Sequence, residues 1–225
     1  MLNSKKIAKM IDHSLLRPEL TIDDVIKGCE LAKKYNVASV CVKPCDIPIA
    51  KEVLKDSDVM ISTVVGFPHG SQSTKIKLLE TEDVIREGAV EVDIVINIGR
   101  LLSKDFSYVE REIREIINLC HQSKVLVKVI LENCYLNNEL KIFACKICEN
   151  AGADFVKTST GFGTGGATIE DVKLMRNSCS PKVKIKAAGG IRSLDTLIAM
   201  YEAGAERFGA TATEKIIQEA IEKFG

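Results

Sequence analysis

Residues 73–97 read STKIKLLETEDVIREGAVEVDIVIN, and the residue pattern changes period in the middle of this stretch. Residues 73–87 carry apolar side chains at helical spacing among charges, while residues 91–97 alternate in the two-residue period of a strand. Between them stands Gly88-Ala89, a helix-stopping glycine followed at once by the entry to the next strand. The same unit recurs in both directions. Strand-length apolar runs lie at 9–15, 38–43, 60–67, 91–97, 124–132, 154–160, 182–190 and 206–210. Helical patterns lie between and after them, at 22–35, 47–55, 73–87, 107–122, 137–150, 169–177, 194–202 and 213–223. Thr21 with Asp24, Thr168 with Asp171 and Thr211 with Glu214 carry helix-start spacing, and Gly152 and Gly204 repeat the Gly-Ala stop of Gly88.

Strands that alternate with helices require a mostly parallel sheet. Eight such units in 225 residues leave no room for a second domain and favour closure over an open doubly wound sheet. No GxGxxG follows the first strand, which removes the usual dinucleotide fingerprint. The expected fold is therefore α/β: a single (β/α)8 TIM barrel over residues 1–225, with parallel strands and a short helix before the first of them. Lysine plus arginine and aspartate plus glutamate balance at 31 each, so nothing in the charge favours nucleic acid or an anionic membrane as partner. The opening MLNSKKIAKMIDHSLL lacks a long apolar core and no later run is long enough to span a bilayer, so a cytoplasmic location is expected. Eight cysteines are scattered; the CxxC of Cys145 and Cys148 lies in a helical run without a second ligand pair, so structural thiols and no metal are expected.

Strand parity then exposes an unusual pattern. Glu91, Asp93, Val95 and Asn97 share one face, Lys128 and Glu132 lie opposite Val127, Val129 and Leu131, Lys184 and Lys186 lie opposite Val183 and Ile185, and Lys157 shares a face with Phe155 and Ser159. Helices cover the outside of a barrel, so the wholly apolar faces look outward and the mixed faces inward. Asp93, Lys128, Glu132, Lys157, Lys184 and Lys186 are thus expected to meet in the barrel mouth. Buried charges are costly unless paired. For Lys128, Glu132 and Lys184 a compensating ion-pair network is the simpler reading. Lys157 and Lys186, toward the carboxyl ends of successive strands where barrel active sites sit, suit chemistry better. At roughly 6 Å and an effective dielectric near 20, their repulsion is about 3 kcal/mol. Desolvation acts in the same direction, so one lysine is expected to be a neutral amine able to add to a carbonyl.

Each of these lysines runs into glycine-rich sequence. Lys157 precedes Thr158-Ser159-Thr160-Gly161-Phe162-Gly163, and Lys186 precedes Ala187-Ala188-Gly189-Gly190. The eighth strand runs through Gly209 to Thr211 at a helix start. Glycines after strands seven and eight with a helix amino terminus form a recurrent phosphate cradle, although Thr211 could equally be a helix cap.

With these residues in place the chain resembles the deoxyribose-phosphate aldolases, a family of class I aldolases. The resemblance runs from Ile11-Asp12-His13-Ser14-Leu15-Leu16 through Cys41-Val42, Gly66-Phe67-Pro68, Lys77 with Glu80, residues 91–97 and Glu132. It continues through Phe155-Val156-Lys157-Thr158-Ser159-Thr160-Gly161, Lys186-Ala187-Ala188-Gly189-Gly190 and Arg207-Phe208-Gly209. It implies reversible cleavage of 2-deoxy-D-ribose 5-phosphate to D-glyceraldehyde 3-phosphate and acetaldehyde, in deoxyribonucleotide catabolism and without a cofactor. Lys157 resembles the imine-forming lysine, Lys186 the lysine that keeps it neutral, and Asp93 the carboxylate that moves protons through water. Asp12, Thr160, Gly161, Gly189, Gly190, Gly209 and Thr211 resemble substrate-binding positions, the glycines and Thr211 at the phosphate. The resemblance also implies a homodimer or homotetramer.

Three positions depart from the family pattern. Thr211-Ala212 stands where many relatives carry two serines, Lys43 stands where Asn is frequent, and the chain stops at Phe224-Gly225 where some relatives extend to a tyrosine. Two other readings stand beside this one: a phosphosugar lyase or isomerase using Asp93 as base without an imine, and a non-catalytic phosphometabolite-binding barrel.

Overall fold

The computed structural model of the chain describes residues 2–225. Its strands are β1 (Ile11–Leu15), β2 (Ser39–Val42), β3 (Met60–Val65), β4 (Glu91–Val95), β5 (Leu126–Ile130), β6 (Phe155–Lys157), β7 (Lys184–Ala188) and β8 (Arg207–Ala210). They form a closed parallel barrel in sequence order, with β1 pairing to β8 through Asp12 opposite Gly209. The intervening helices are α2 (Ile22–Tyr35), α3 (Ile47–Leu54), α4 (Thr74–Glu87), α6 (Phe106–Gln122), α7 (Asn138–Ala151), α8 (Ile169–Ser178), α9 (Leu194–Glu202) and, after β8, α10 (Thr213–Phe224). A short α1 (Ser4–Ala8) precedes β1 as expected, and an unexpected α5 (Ile98–Leu102) follows β4. Asn97 ends the strand pattern there by accepting from Arg100 N at 3.2 Å, which turns the chain into α5. None of the helices of the described residues is long and apolar enough to cross a membrane.

The main hydrophobic core lies outside the barrel, between strands and helices. Val92, Ile94, Val127, Val129, Ile185 and Ala187 are buried there, so the outward faces are the apolar ones that parity selects. Cys145 and Cys148 are buried in the same layer on α7. Local signals hold the helix ends in place. Thr21 and Asp24 form a complete capping box, and Thr168 accepts from Asp171 N at 3.0 Å. Gly88 (φ 116°) and Gly152 (φ 93°) close α4 and α7 in the left-handed conformation, where a side chain would be strained.

One capping expectation fails. The N-cap of α10 falls on Ala212, without a side-chain cap, rather than on Thr211. Glu214, the supposed capping partner, instead accepts from Tyr35 Oη at 2.8 Å and Lys34 Nζ at 3.3 Å. Thr211 is left exposed before the helix.

Candidate functional site

The barrel interior holds an ion-paired layer instead of an apolar one. The register places Asp93 beside Lys128 and Lys157 beside Lys186. Asp93 is the hub: Oδ1 accepts from Lys128 Nζ at 2.8 Å, and Oδ2 accepts from both Lys157 Nζ and Lys186 Nζ at 2.7 Å. The two ammonium groups therefore lie within twice that distance of each other. Lys186 also contacts Asp12 Oδ2 at 2.5 Å, and Asp12 Oδ1 accepts from Arg207 at 2.7 Å and from Ser39 Oγ at 2.7 Å. Glu91 completes the layer, 2.6 Å from Lys128 and 3.1 Å from Arg207.

These side chains are almost wholly withdrawn from water: Asp12, Glu91, Asp93 and Lys128 are 0% exposed, Lys186 1% and Lys157 3%. The layer contains four cations (Lys128, Lys157, Lys186, Arg207) against three carboxylates (Asp12, Glu91, Asp93), so it carries one proton too many for neutrality. Burial opposes every one of these charges. Asp12 and Asp93 overcome it on Lys186 and hold that ammonium above the ordinary lysine range. Asp93, Glu91 and Asp12 do the same for Lys128, and Asp12 and Glu91 for Arg207. Lys157 is different: burial first, then repulsion by Lys186, outweighs its single carboxylate and pushes it below the usual lysine value. Burial would raise Asp93, but Lys128, Lys157 and Lys186 hold its carboxyl well below the ordinary range. Loss of the surplus proton from Lys157 leaves the layer balanced and yields an amine that can add to a carbonyl.

Above Lys157 and Lys186 opens a cleft. Thr160, Gly161, Gly189, Gly190, Gly209 and Thr211 line it, so the sequence-derived candidates converge here. Asp93 lies beneath the lysines, and Asp12 sits at the floor with its oxygens engaged by Lys186, Arg207 and Ser39. A Cβ on Gly209 would lie 3.0 Å from Ala188 Cβ and 3.6 Å from Lys186 Cε, so glycine keeps the way to Lys186 open. The loop after β6 docks against the loop after β7, with Ala167 N donating to Gly189 O at 3.0 Å; a Cβ on Gly166 would lie 2.3 Å from that oxygen. Glu132 anchors the start of the same loop, accepting from Thr160 N at 3.1 Å and from the Thr160 hydroxyl.

Two expectations change in three dimensions. Glu132 does not join the Asp93 layer, because it follows β5 and turns to Thr160. Lys184 pairs in register with Phe155 at the amino end of the barrel, is exposed, and lies over the Phe155 ring at 5.6 Å. Other cleft residues were not singled out from sequence: Ser14, Arg17, Cys41, Phe162 and Arg192. Ser14 was detectable by parity with Asp12, and Arg192 by its position directly after the Gly189-Gly190-Ile191 turn. Arg17 and Phe162 sit in aperiodic loops that offer no such signal.

The family model for DeoC/LacD family aldolases matches residues 6–219. A deoxyribose-phosphate aldolase of Caldanaerobacter subterraneus subsp. tengcongensis is 52% identical over 214 residues, covering 95% of this chain and 93% of that protein. One from Thermococcus kodakarensis is 47% identical over 221 residues, covering 97% of this chain and 99% of that protein. Among solved structures, the tetrameric deoxyribose phosphate aldolase of Aeropyrum pernix is similar with a TM-score of 0.89 at 30% identity, over 96% of this chain and 91% of that one. A matched model over nearly all of the barrel, together with relatives near half identity, establishes that this chain belongs to the DeoC/LacD family of aldolases.

Proposed function

We propose that the chain reversibly cleaves 2-deoxy-D-ribose 5-phosphate to D-glyceraldehyde 3-phosphate and acetaldehyde through an imine on Lys157. The observation that carries this reading is the uneven charge count around Asp93, in which Lys157 alone of the four cations is pushed toward neutrality. Lys157 Nζ adds to the C1 aldehyde, water leaves, and the resulting iminium draws the C2–C3 electron pair into an enamine as that bond breaks. The C3 hydroxyl proton is lost and glyceraldehyde 3-phosphate departs. Protonation of the enamine carbon and hydrolysis then release acetaldehyde and restore the amine. Lys186, clamped between Asp12 and Asp93, stays charged and keeps Lys157 from holding a proton. Once Lys157 is bound to substrate, Asp93 Oδ2 has one fewer ammonium to satisfy and can pass protons through water.

The phosphate is proposed to lie against Gly161, Gly189, Gly190, Gly209 and Thr211, near the amino terminus of α10. Arg17 and Arg192 on the cleft wall add positive charge. An isomerase that used Asp93 as a resting base is disfavoured, because a carboxyl held so low by three lysines is a weak base. We further propose that residues 1–225 act as one catalytic domain, as a cytoplasmic homodimer or homotetramer, in deoxyribonucleotide breakdown.

Acetaldehyde with borohydride tests the central step. The expected result is inactivation and one ethyl group on Lys157, located by peptide mass mapping. Labelling at Lys186, or at no lysine, overturns the assignment.

A further inference from the structure

A second cavity adjoins the substrate cleft over the opposite half of the barrel mouth. The two share Thr160 and Phe162 in their walls. Thr160 has its hydroxyl bound to Glu132, so the Phe162 ring is the larger part of the partition. That ring is braced from two sides. Phe67 meets it edge-on with centroids 5.3 Å apart, and the Arg17 guanidinium lies 5.5 Å from its centroid. The next residue has no room for a side chain, since a Cβ on Gly163 would lie 2.9 Å from Cys134 Sγ.

The partition separates two different environments. On the cleft side, Arg17 and Arg192 attract an anion. On the far side, Pro68, Ile98, Leu102 and Tyr135 present mainly apolar surface beside His69 and the Glu132 carboxylate, which pairs with no lysine or arginine among the described residues. The second cavity offers a phosphate no arginine or lysine, whereas an uncharged hydrocarbon tail would exchange water for apolar contact there. We infer that Phe162 is a specificity-determining residue, and that its ring bars uncharged aldehydes with long apolar tails from an apolar subsite adjoining the cleft that holds Lys157. The inference rests on the aldolase reading above. In the synthetic direction the acetaldehyde enamine carbon bonds to the acceptor carbonyl carbon, the carbonyl oxygen takes a proton, and hydrolysis of the iminium frees the 3-hydroxyaldehyde.

The test compares wild type, Phe162→Ala, Leu102→Trp and the double variant, using hexanal and propanal as acceptors with acetaldehyde. Phe162 and Leu102 are 38% and 47% exposed, so both changes are compatible with folding. Phe162→Ala is expected to raise the hexanal-to-propanal ratio of kcat/KM by roughly 10-fold or more, from the burial of a few methylenes. Leu102→Trp, which fills the second cavity, is expected to cancel the gain in the double variant. An unchanged ratio in Phe162→Ala overturns the inference, and so does a gain that survives Leu102→Trp. Borohydride trapping of acetaldehyde by each variant separates this outcome from failure of the aldolase reading, which would abolish trapping in wild type as well.

Discussion

Acidification should destabilise this barrel first through His13, a residue that neighbours Asp12 in sequence but faces away from the ion-paired layer. His13 points outward from β1 and its Nδ1 lies 2.8 Å from Thr213 Oγ1 on α10. It is 6% exposed, and burial depresses its pKa from 6.5 to about 4. A histidine depressed in the folded state contributes stability that is present above pH 6.5 and is lost as pH falls toward 4. At pH 5 the resulting loss is about 2 kcal/mol, against about 0.2 kcal/mol at pH 7. In a chain of this length that corresponds to a drop in Tm of about 4–8 °C. Asp12 and Asp93 are held below 3.8 by their lysine partners, so their contribution is lost only at still lower pH. Replacing His13 with Asn keeps an acceptor near the Thr213 hydroxyl but removes the titration. The smaller side chain costs roughly 1–2 kcal/mol at every pH, so the informative quantity is the change between pH 7 and pH 5. Urea unfolding at the two pH values should show wild type losing about 2 kcal/mol more than His13→Asn. Aldolase turnover at pH 7 should be retained in the variant. Equal losses in both proteins would falsify the assignment of this acid lability to His13.

The other predictions concern the site. Lys186→Met removes an ammonium worth about 3 kcal/mol of repulsion at about 5 Å and a dielectric near 20, so acetaldehyde trapping at pH 7 should fall by roughly 100-fold and recover toward pH 10. A trapping profile unchanged in pH would remove Lys186 from control of Lys157. Asp93→Asn should still trap acetaldehyde while proton exchange at the acetaldehyde methyl slows; normal exchange, followed by NMR in deuterated water, would exclude Asp93 from proton transfer. Exhaustive chelation should leave turnover intact, and loss that zinc restores would point to a metal-dependent enzyme. Ala212→Ser places a hydroxyl on the N-cap of α10 and should lower KM for deoxyribose 5-phosphate by roughly 10-fold, with little change for unphosphorylated deoxyribose. Equal effects on both substrates would place residue 212 outside the phosphate site.

The strands, the helices and the inward direction of Asp93, Lys157 and Lys186 were legible in the sequence, because period and parity depend only on neighbours along the chain. Gly88 and Gly152 ended helices as read, for the same local reason. The family motifs around Lys157 and Lys186 were local too. Which charge answers which was not legible. Arg207 reaches Asp12 across 195 residues, and only barrel closure brings β8 beside β1. That closure sets the surplus of one cation and leaves Lys157, with a single carboxylate, as the site from which the proton is most readily lost. Register alone sends Lys184 to the open amino end while Lys186, two residues on, enters the ion-paired layer. Capping by Thr211 failed for a related reason: tertiary contacts from Tyr35 and Lys34 engage Glu214. The placement of Arg17 and Phe162 is likewise tertiary, since aperiodic loops take their conformation from what they pack against: here Phe67, and the adjoining Gly163 backbone against Cys134.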